Sequence, residues 1–251
     1  MALNKYKAIL LASCILPCQQ VTAETMGREI QQPNLDWVGS LSVGPVWQSG
    51  GTTQTFYLTS DIEKTYTANK KTQALFAGEF FLGLQKQLTQ AIQGQLGLEV
   101  AATNNANISG EIWDDANREF ANYTYSYKIQ HTHVAVKGKL LADAGFWLIP
   151  WVSASLGVGF NDTHRFHSIL TIFEALPTSD FSSCTQTAFT YTVGTGVQKV
   201  LNEHWQIGVG YEFADWGKSS LGRAEGQTLN SGLGLDHLYI NGVLFNLTYL
   251  A

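Results

Sequence analysis

Eight segments of this chain carry apolar side chains at every second position, and this pattern limits the fold more than any other feature. In residues 91–102, for example, Leu96 and Leu98 alternate with Gln95 and Gly97. A period of two sustained over such lengths is typical of β-strands and does not fit a helix. The predicted strands cover residues 36–48, 72–86, 91–102, 122–138, 146–160, 187–200, 205–214 and 237–249.

The fourth segment departs from simple alternation. Its apolar positions are odd-numbered up to Ile129 and even-numbered from Val134 onward. An extra residue in a strand produces such a change of parity. The pattern therefore predicts a β-bulge near His131 and His133, or else a register that differs from the one we assign.

The gaps between the segments alternate in length. The short gaps lie near residues 87–90, 139–145 and 201–204, and the long ones near 49–71, 103–121, 161–186 and 215–236. Long strands joined alternately by short turns and long loops are typical of bacterial outer-membrane β-barrels. The Gly, Ser, Thr, Gln and Glu side chains of the opposite strand face suit the polar lumen of a narrow barrel. We therefore predict an all-β fold, an eight-stranded antiparallel transmembrane up-and-down β-barrel with four long outer loops.

The N-terminus has the pattern of a secretory signal. Lys5 and Lys7 precede a short apolar core at residues 8–16, and a small-x-small pattern predicts cleavage after Ala23. The alternative is a lipoprotein signal, with Cys14 as the lipidated residue. The predicted domains are a signal peptide at 1–23, a periplasmic lead-in at 24–35 and an outer-membrane barrel at 36–251.

Charge and cysteine content exclude some classes of function. Only 14% of the residues are charged and the formal net charge is −5, which argues against nucleic acid as a partner. After signal cleavage Cys184 would be the single cysteine of the mature chain, so no internal disulfide is predicted. The sequence predicts no cofactor.

Aromatic residues lie near several predicted strand ends. Interfacial girdles of Trp and Tyr are common to membrane barrels. We predict Trp37 and Trp205 as interfacial aromatics on the periplasmic side, and Trp47 and Tyr211 on the outer side.

Three stretches resemble the small outer-membrane barrels of the opacity-protein and OmpA-like superfamily. They are residues 148–160 (LIPWVSASLGVGF), 208–217 (GVGYEFADWG) and 242–249 (GVLFNLTY). The last is similar to the C-terminal signal read by the barrel-assembly machinery, although Leu250 and Ala251 follow its terminal aromatic. The resemblance implies the lipid bilayer and that machinery as partners, and roles in adhesion, host contact or envelope integrity.

Two carboxylates fall on the predicted lumen face of adjacent strands. Glu79 and Glu99 flank a tight turn at similar heights, and two buried carboxylates repel unless a cation lies between them. We predict an ionic cluster in the lumen with Lys128 as the partner cation, extended by Lys137 and Glu212. The alternative is a set of separate, water-solvated charges.

A Ser-His combination offers a second hypothesis. His164, His167 and Ser168 invite comparison with outer-membrane lipid hydrolases, which use such a pair. All three fall in a predicted long loop, where a positioned base is not expected. We therefore interpret them as solvated loop residues.

Two further pairs could bind metal. His131 and His133 share one strand face but lack an evident third ligand, and Asp114 and Asp115 could hold calcium weakly in the second long loop. We predict no metal site and no enzymatic activity. The predicted role is structural or one of surface interaction through the outer loops. The alternatives are a narrow porin-like channel for ions or small solutes and, third, a lipid-modifying enzyme.

Overall fold

The computed structural model describes residues 35–70, 72–173 and 178–251. The predicted signal peptide, and the lead-in up to residue 34, lie outside these residues. A 3₁₀ turn, Arg118–Phe120, precedes the seventh strand. In chain order the strands are β1 (Leu35–Gln48), β2 (Gln54–Thr59), β3 (Ile62–Tyr66), β4 (Gln73–Thr89), β5 (Ile92–Thr103), β6 (Ala106–Asp114), β7 (Ala121–Ala142), β8 (Ile149–Leu170), β9 (Cys184–Val200), β10 (Trp205–Asp215), β11 (Ser219–Ser220), β12 (Gly234–Leu235) and β13 (Tyr239–Leu250).

Eight of these strands close into an antiparallel ring. Its order is β1, β4, β5, β7, β8, β9, β10 and β13, and β13 pairs back onto β1 with Val43 opposite Phe245. Closure leaves no unpaired strand edge in the ring, which is the condition for β structure in lipid. The structure confirms the predicted eight-stranded barrel. No helix of the described residues is long and apolar enough to cross a membrane.

The barrel wall has a lower part, near the short turns, and an upper part, near the long outer connections. Between the two parts the apolar side chains change from the outward face to the inward face. In the lower part Val136 points outward and is 53% exposed, while its neighbour Lys137 is buried in the lumen. In the upper part of β7, Tyr125 and Tyr127 are buried inside and Thr124 is exposed outside. An outward face of apolar side chains fits contact with lipid. Where the apolar side chains point inward instead, the outward face is polar and fits contact with water. The lower part is therefore the membrane-spanning one, and we expect the end with the short turns to face the periplasm.

This exchange explains the parity change of the fourth segment, and it corrects our interpretation. In β7 the inward positions stay odd-numbered from Tyr123 to Leu141, with no bulge at His131 or His133. The apolar face moves from outside to inside because the surroundings change from lipid to water. The register shift lies instead in β8, at Arg165, which has a φ of 54°.

The long outer loops contain more regular structure than the sequence predicted. β2, β3 and β6 extend the sheet beside β7, and β8 continues to Leu170. β7 and β8 each have 22 residues, whereas about 9–11 residues suffice to cross a membrane. Their upper halves therefore project from the membrane. In these projecting halves the outward side chains are polar because they meet water. The halves therefore lack the outward apolar alternation by which the lipid-facing segments were recognised in the sequence.

The outer segments pack into a single apolar core, which we call the cap. It encloses aromatic rings from four strands and their connections, together with aliphatic side chains. Its aromatic and larger aliphatic members include Phe56, Tyr66, Ile112, Tyr125, Tyr127, Phe166, Phe181, Trp216, Leu221 and Leu238. The cap lies over the outer mouth of the ring.

The lipid-facing band yields a direct test. We expect Val136→Arg, in the middle of the band, to destabilise the barrel by about 2–4 kcal/mol, because a charge there loses its hydration. Thr124→Arg, on the outward face above the membrane, should change stability by less than about 0.5 kcal/mol. Urea unfolding of both variants in lipid vesicles measures the difference. Equal effects would contradict the placement of the membrane.

Candidate functional site

A buried lysine forms the centre of the lumen. Lys137 on β7 donates a hydrogen bond from Nζ to Glu79 Oε1 on β4. The same Nζ lies 2.8 Å from Glu99 Oε2 on β5 and 3.1 Å from Glu212 Oε1 on β10. Lys137, Glu79 and Glu99 are each at most 6% exposed. Four strands are thus tied together by one ammonium group.

Lys128 does not belong to this cluster, which corrects its predicted role. Because β7 keeps one parity throughout, Lys128 lies on the outward-facing side, opposite His164 of β8. Lys137 occupies the central position that we predicted for Lys128. Of the predicted network, Glu79, Glu99, Lys137 and Glu212 are brought together and Lys128 is not.

A chain of hydrogen-bonding side chains leads from this cluster towards the cap. Glu99 Oε1 lies 2.9 Å from His133 Nε2, and His133 Nδ1 lies 2.9 Å from His131 Nε2. His131 Nδ1 lies 2.7 Å from Asn161 Oδ1. The Asn161 amide then donates to the carbonyl oxygens of Trp216 and Lys218, at 2.9 and 2.7 Å. The Trp216 ring also stacks on His131 with centroids 4.2 Å apart.

The direction of one hydrogen bond in this chain follows from its neighbours. The two donations by the Asn161 amide fix its Oδ1 as the acceptor, so His131 Nδ1 donates to it.

Lys139 lies beside this cluster on the same strand. It donates to Gln198 Oε1 at 2.8 Å, and its Nζ lies 4.5 Å from the centroid of the Trp151 ring.

Little free space remains between these side chains. Two cavities of about 30 and 40 Å³ lie on either side of the Lys137 cluster, the lower next to Trp151 and the upper next to Trp216. Each has room for a few water molecules, since one needs about 10–15 Å³ measured in this way. Below them Gln95 donates to Gln85 at 2.7 Å and Gln198 to Gln206 at 2.6 Å. The lumen is filled by its own side chains.

The cap closes the outer end. Phe166 packs edge-on against Phe181, with centroids 4.9 Å apart, and stacks on Tyr125 at 5.7 Å. Tyr66 packs against Tyr125 at 5.7 Å, and the Tyr125 hydroxyl donates to the carbonyl of Thr67 at 2.8 Å. Burial raises the pKa of the Tyr66 hydroxyl above its usual range, so this ring stays neutral.

The predicted interfacial aromatics all face outward. Trp37 is 58% exposed and Trp205 40%, and both lie at the end of the barrel that carries the short turns. Trp205 also packs edge-on against Tyr249 at 5.0 Å. Trp47 lies at the outer end of β1, and Tyr211 donates from its hydroxyl to Asn241 Oδ1 at 3.0 Å. Their interfacial role stays a prediction.

His164, His167 and Ser168 lie in β8 and not in a loop, which corrects their predicted location. Ser168 Oγ donates to Asp180 Oδ1 at 3.1 Å, and His167 Nδ1 lies 3.7 Å from Asp180 Oδ2. Among the described residues no hydrogen bond joins His167 to Ser168, because consecutive strand residues face opposite sides. His164 Nδ1 lies 3.1 Å from Asp162 Oδ2.

The other candidate ligands have protein partners. Asp114 lies 2.9 Å from Lys64 Nζ and accepts a hydrogen bond from Asn122 at 2.7 Å. Asp115 follows it in a turn with a φ of 50°. Within residues 35–70, 72–173 and 178–251, no group of three or more His, Cys, Asp or Glu side chains could hold a metal ion.

Sequence reasoning missed the participation of His131, His133, Asn161 and Lys139 in the lumen. Their positions carry the signal, since each lies an even number of residues from a neighbour that was placed inside. Counting back by twos from Lys137 gives both histidines. The assumed bulge interrupted this count.

No family model matches the chain, and no curated protein matches its sequence. Among solved structures, the outer membrane protease OmpT from Escherichia coli is similar with a TM-score of 0.51 at 8% identity, over 88% of this chain and 99% of that one. Neisserial surface protein A matches with a TM-score of 0.42 at 9% identity, over 86% and 98% of the two chains. OprG from Pseudomonas aeruginosa matches with 0.43 at 12% identity, over 85% and 95%. At 8% identity the likeness to OmpT shows the outer-membrane β-barrel fold alone.

Proposed function

We propose that this outer-membrane β-barrel has a structural or surface-interaction role, of the adhesin or host-contact type, through its outer cap. One observation carries the proposal. The interior is filled from the Gln85–Gln95 pair up to the aromatic cap, so it offers no path for solutes, whereas the folded outer part presents surface to the outside.

The end of β8 supplies a contact surface. Ile169 is 58% exposed, Ile172 44% and Phe173 99%, and they lie on the outer side, far from the lipid-facing band. Clustered apolar side chains exposed to water mark interaction sites more often than isolated ones do. We call residues 169–173 the tip, and we propose it as the contacting part of the cap.

Delivery to the membrane belongs to the same proposal. We propose export by a signal peptide cleaved after Ala23. Insertion by the barrel-assembly machinery accords with the C-terminal strand, in which Phe245, Leu247 and Tyr249 face outward. The cleavage is tested by N-terminal sequencing of the mature protein.

Adhesion of whole cells tests the surface role. We expect bacteria that display the double variant Ile172→Ser, Phe173→Ser to bind an epithelial cell monolayer several-fold less than bacteria that display the unchanged protein. The matched control is Phe146→Ser, Trp147→Ser, because these side chains are 74% and 73% exposed at the periplasmic end. Equal loss in both variants, or no loss in either, would refute the proposed role of the tip.

Planar-bilayer recording separates this role from the narrow channel. A filled lumen should give no steady, discrete openings, and regular openings would favour the channel. We also propose that the protein is not an enzyme, since His167 and Ser168 each contact Asp180 and not each other. Lipid hydrolysis that is lost on changing either residue to alanine would overturn this.

A further inference from the structure

We propose that Lys128, His164 and Arg165 form a binding site on the outer wall of the barrel for the phosphate group of an outer-leaflet lipid. The three residues lie on the outward face where β7 and β8 leave the membrane. The inference is independent of the surface role proposed above.

The bulge in β8 brings the three side chains together. The register passes from Lys128 opposite His164 to Ser126 opposite His167, so β8 has one residue more than β7 over this stretch. Thr163 and Phe166 both point inward and are buried, which leaves His164 and Arg165 on the outward side in succession. Directly opposed residues of paired strands have Cβ atoms about 4.5–5.5 Å apart. Lys128 of β7 therefore lies opposite two outward-facing residues of β8, His164 and Arg165.

The conformation of Arg165 is unusual for its residue type. Its φ of 54° lies in the left-handed region, which glycine adopts without strain and arginine does not. Strained positions of this kind cluster where a side chain has to be aimed at a ligand. The bulge aims a guanidinium group at the outer surface.

The height of the cluster fits a lipid headgroup. Below it Phe160 and Val158 of β8 face outward, at 43% and 46% exposure, and Phe189 of β9 pairs with Val158. These side chains offer an apolar strip for acyl chains, and Lys128 and His164 stand one step above Asp162 and Gln130, where the strip has ended. A lipid with its phosphate at the cluster would lay its chains along the strip.

The charges at the cluster remain available for a ligand. In the described part of the chain no carboxylate lies within 4 Å of Lys128 or Arg165. An acidic neighbour, Asp162, lies 3.1 Å from His164 Nδ1 and accepts a hydrogen bond from the Thr185 hydroxyl at 3.0 Å. Two cations that no carboxylate of the described residues neutralises thus stand out on a chain of net charge −5. Lys and Arg bind phosphate oxygens through charge-assisted hydrogen bonds.

Titration of the full-length protein in detergent micelles with diphosphoryl lipid A, followed by native mass spectrometry, tests the site. We expect Lys128→Gln, Arg165→Gln to weaken binding about tenfold, because two charge-assisted contacts are lost. The matched control is Lys86→Gln, Lys199→Gln, which removes two exposed cations at the opposite rim. This control should bind within about twofold of the unchanged protein.

A second variant separates binding from folding. Arg165→Gly suits the left-handed backbone, so it should fold at least as well as the unchanged protein and still bind about threefold more weakly. Retained gel mobility shift on boiling verifies the barrel in each variant. Unchanged binding in both site variants, or equal loss in the rim control, would overturn the proposal. Inorganic pyrophosphate that binds as tightly as lipid A would also overturn it, because the acyl strip would then contribute nothing.

Discussion

Replacing Lys137 by methionine is expected to destabilise the folded barrel by about 3–5 kcal/mol, because breaking a buried ion pair leaves uncompensated charge. Methionine roughly fills the space but leaves Glu79, Glu99 and Glu212 facing one another in the lumen. The urea midpoint of the barrel in phosphatidylcholine vesicles, followed by tryptophan fluorescence, measures the loss.

Two further variants identify charge as the cause. Lys139→Met removes a neighbouring ammonium group that contacts Gln198 and Trp151 and, among the described residues, forms no ion pair with a carboxylate, so its effect should be much smaller. Adding Glu79→Gln and Glu212→Gln to Lys137→Met removes two of the three stranded charges and should restore most of the stability. If the triple variant is no more stable than Lys137→Met alone, repulsion among the carboxylates does not explain the effect.

Replacing Phe166 by alanine is expected to destabilise the cap by about 3–5 kcal/mol, the usual cost of removing a buried phenyl ring. Phe166 is 7% exposed, and its ring contacts Tyr125, Tyr127 and Phe181. The cap lies outside the membrane, whereas the eight-stranded barrel is closed by its own strand pairing. We therefore expect faster proteolysis of the outer segments while the gel mobility shift of the barrel on boiling is kept.

Phe173→Ala is the matched control for this prediction. It deletes the same ring from a side chain that is 99% exposed, so the stability should change by less than about 0.5 kcal/mol. Were Phe166→Ala also to abolish the mobility shift, the cap and the barrel would unfold as one unit.

The sequence was most informative where the chain meets lipid. The segment at residues 91–102 became β5 at Ile92–Thr103 with the predicted outward residues, including Leu96 and Leu98. A strand that crosses lipid must present apolar side chains on its whole outward face, so its sequence has an apolar residue at every second position. Glu79 and Glu99 could be placed in the lumen by the same argument.

Sequence reasoning was weaker above the membrane. There the inward face is apolar and the outward face is polar, the reverse of the membrane part, and Tyr123 to Ile129 were therefore assigned to the wrong side. The error moved Lys128 into the lumen and kept His131 and His133 out of the ionic network. Nothing in one strand's sequence marks the depth at which the solvent changes.

The barrel with its short and long connections was thus determined by the sequence itself, because each spanning strand must present a lipid face and a lumen face on its own. Only the tertiary structure decided three features. They are the cation that pairs with Glu79 and Glu99, the series of hydrogen bonds through His133 and Asn161, and the cap. These features depend on which residues of different strands share a height, and the register around the closed ring sets that. A bulge at Arg165 alters the register between β7 and β8, and it leaves His164 and Arg165 in succession on the outward face.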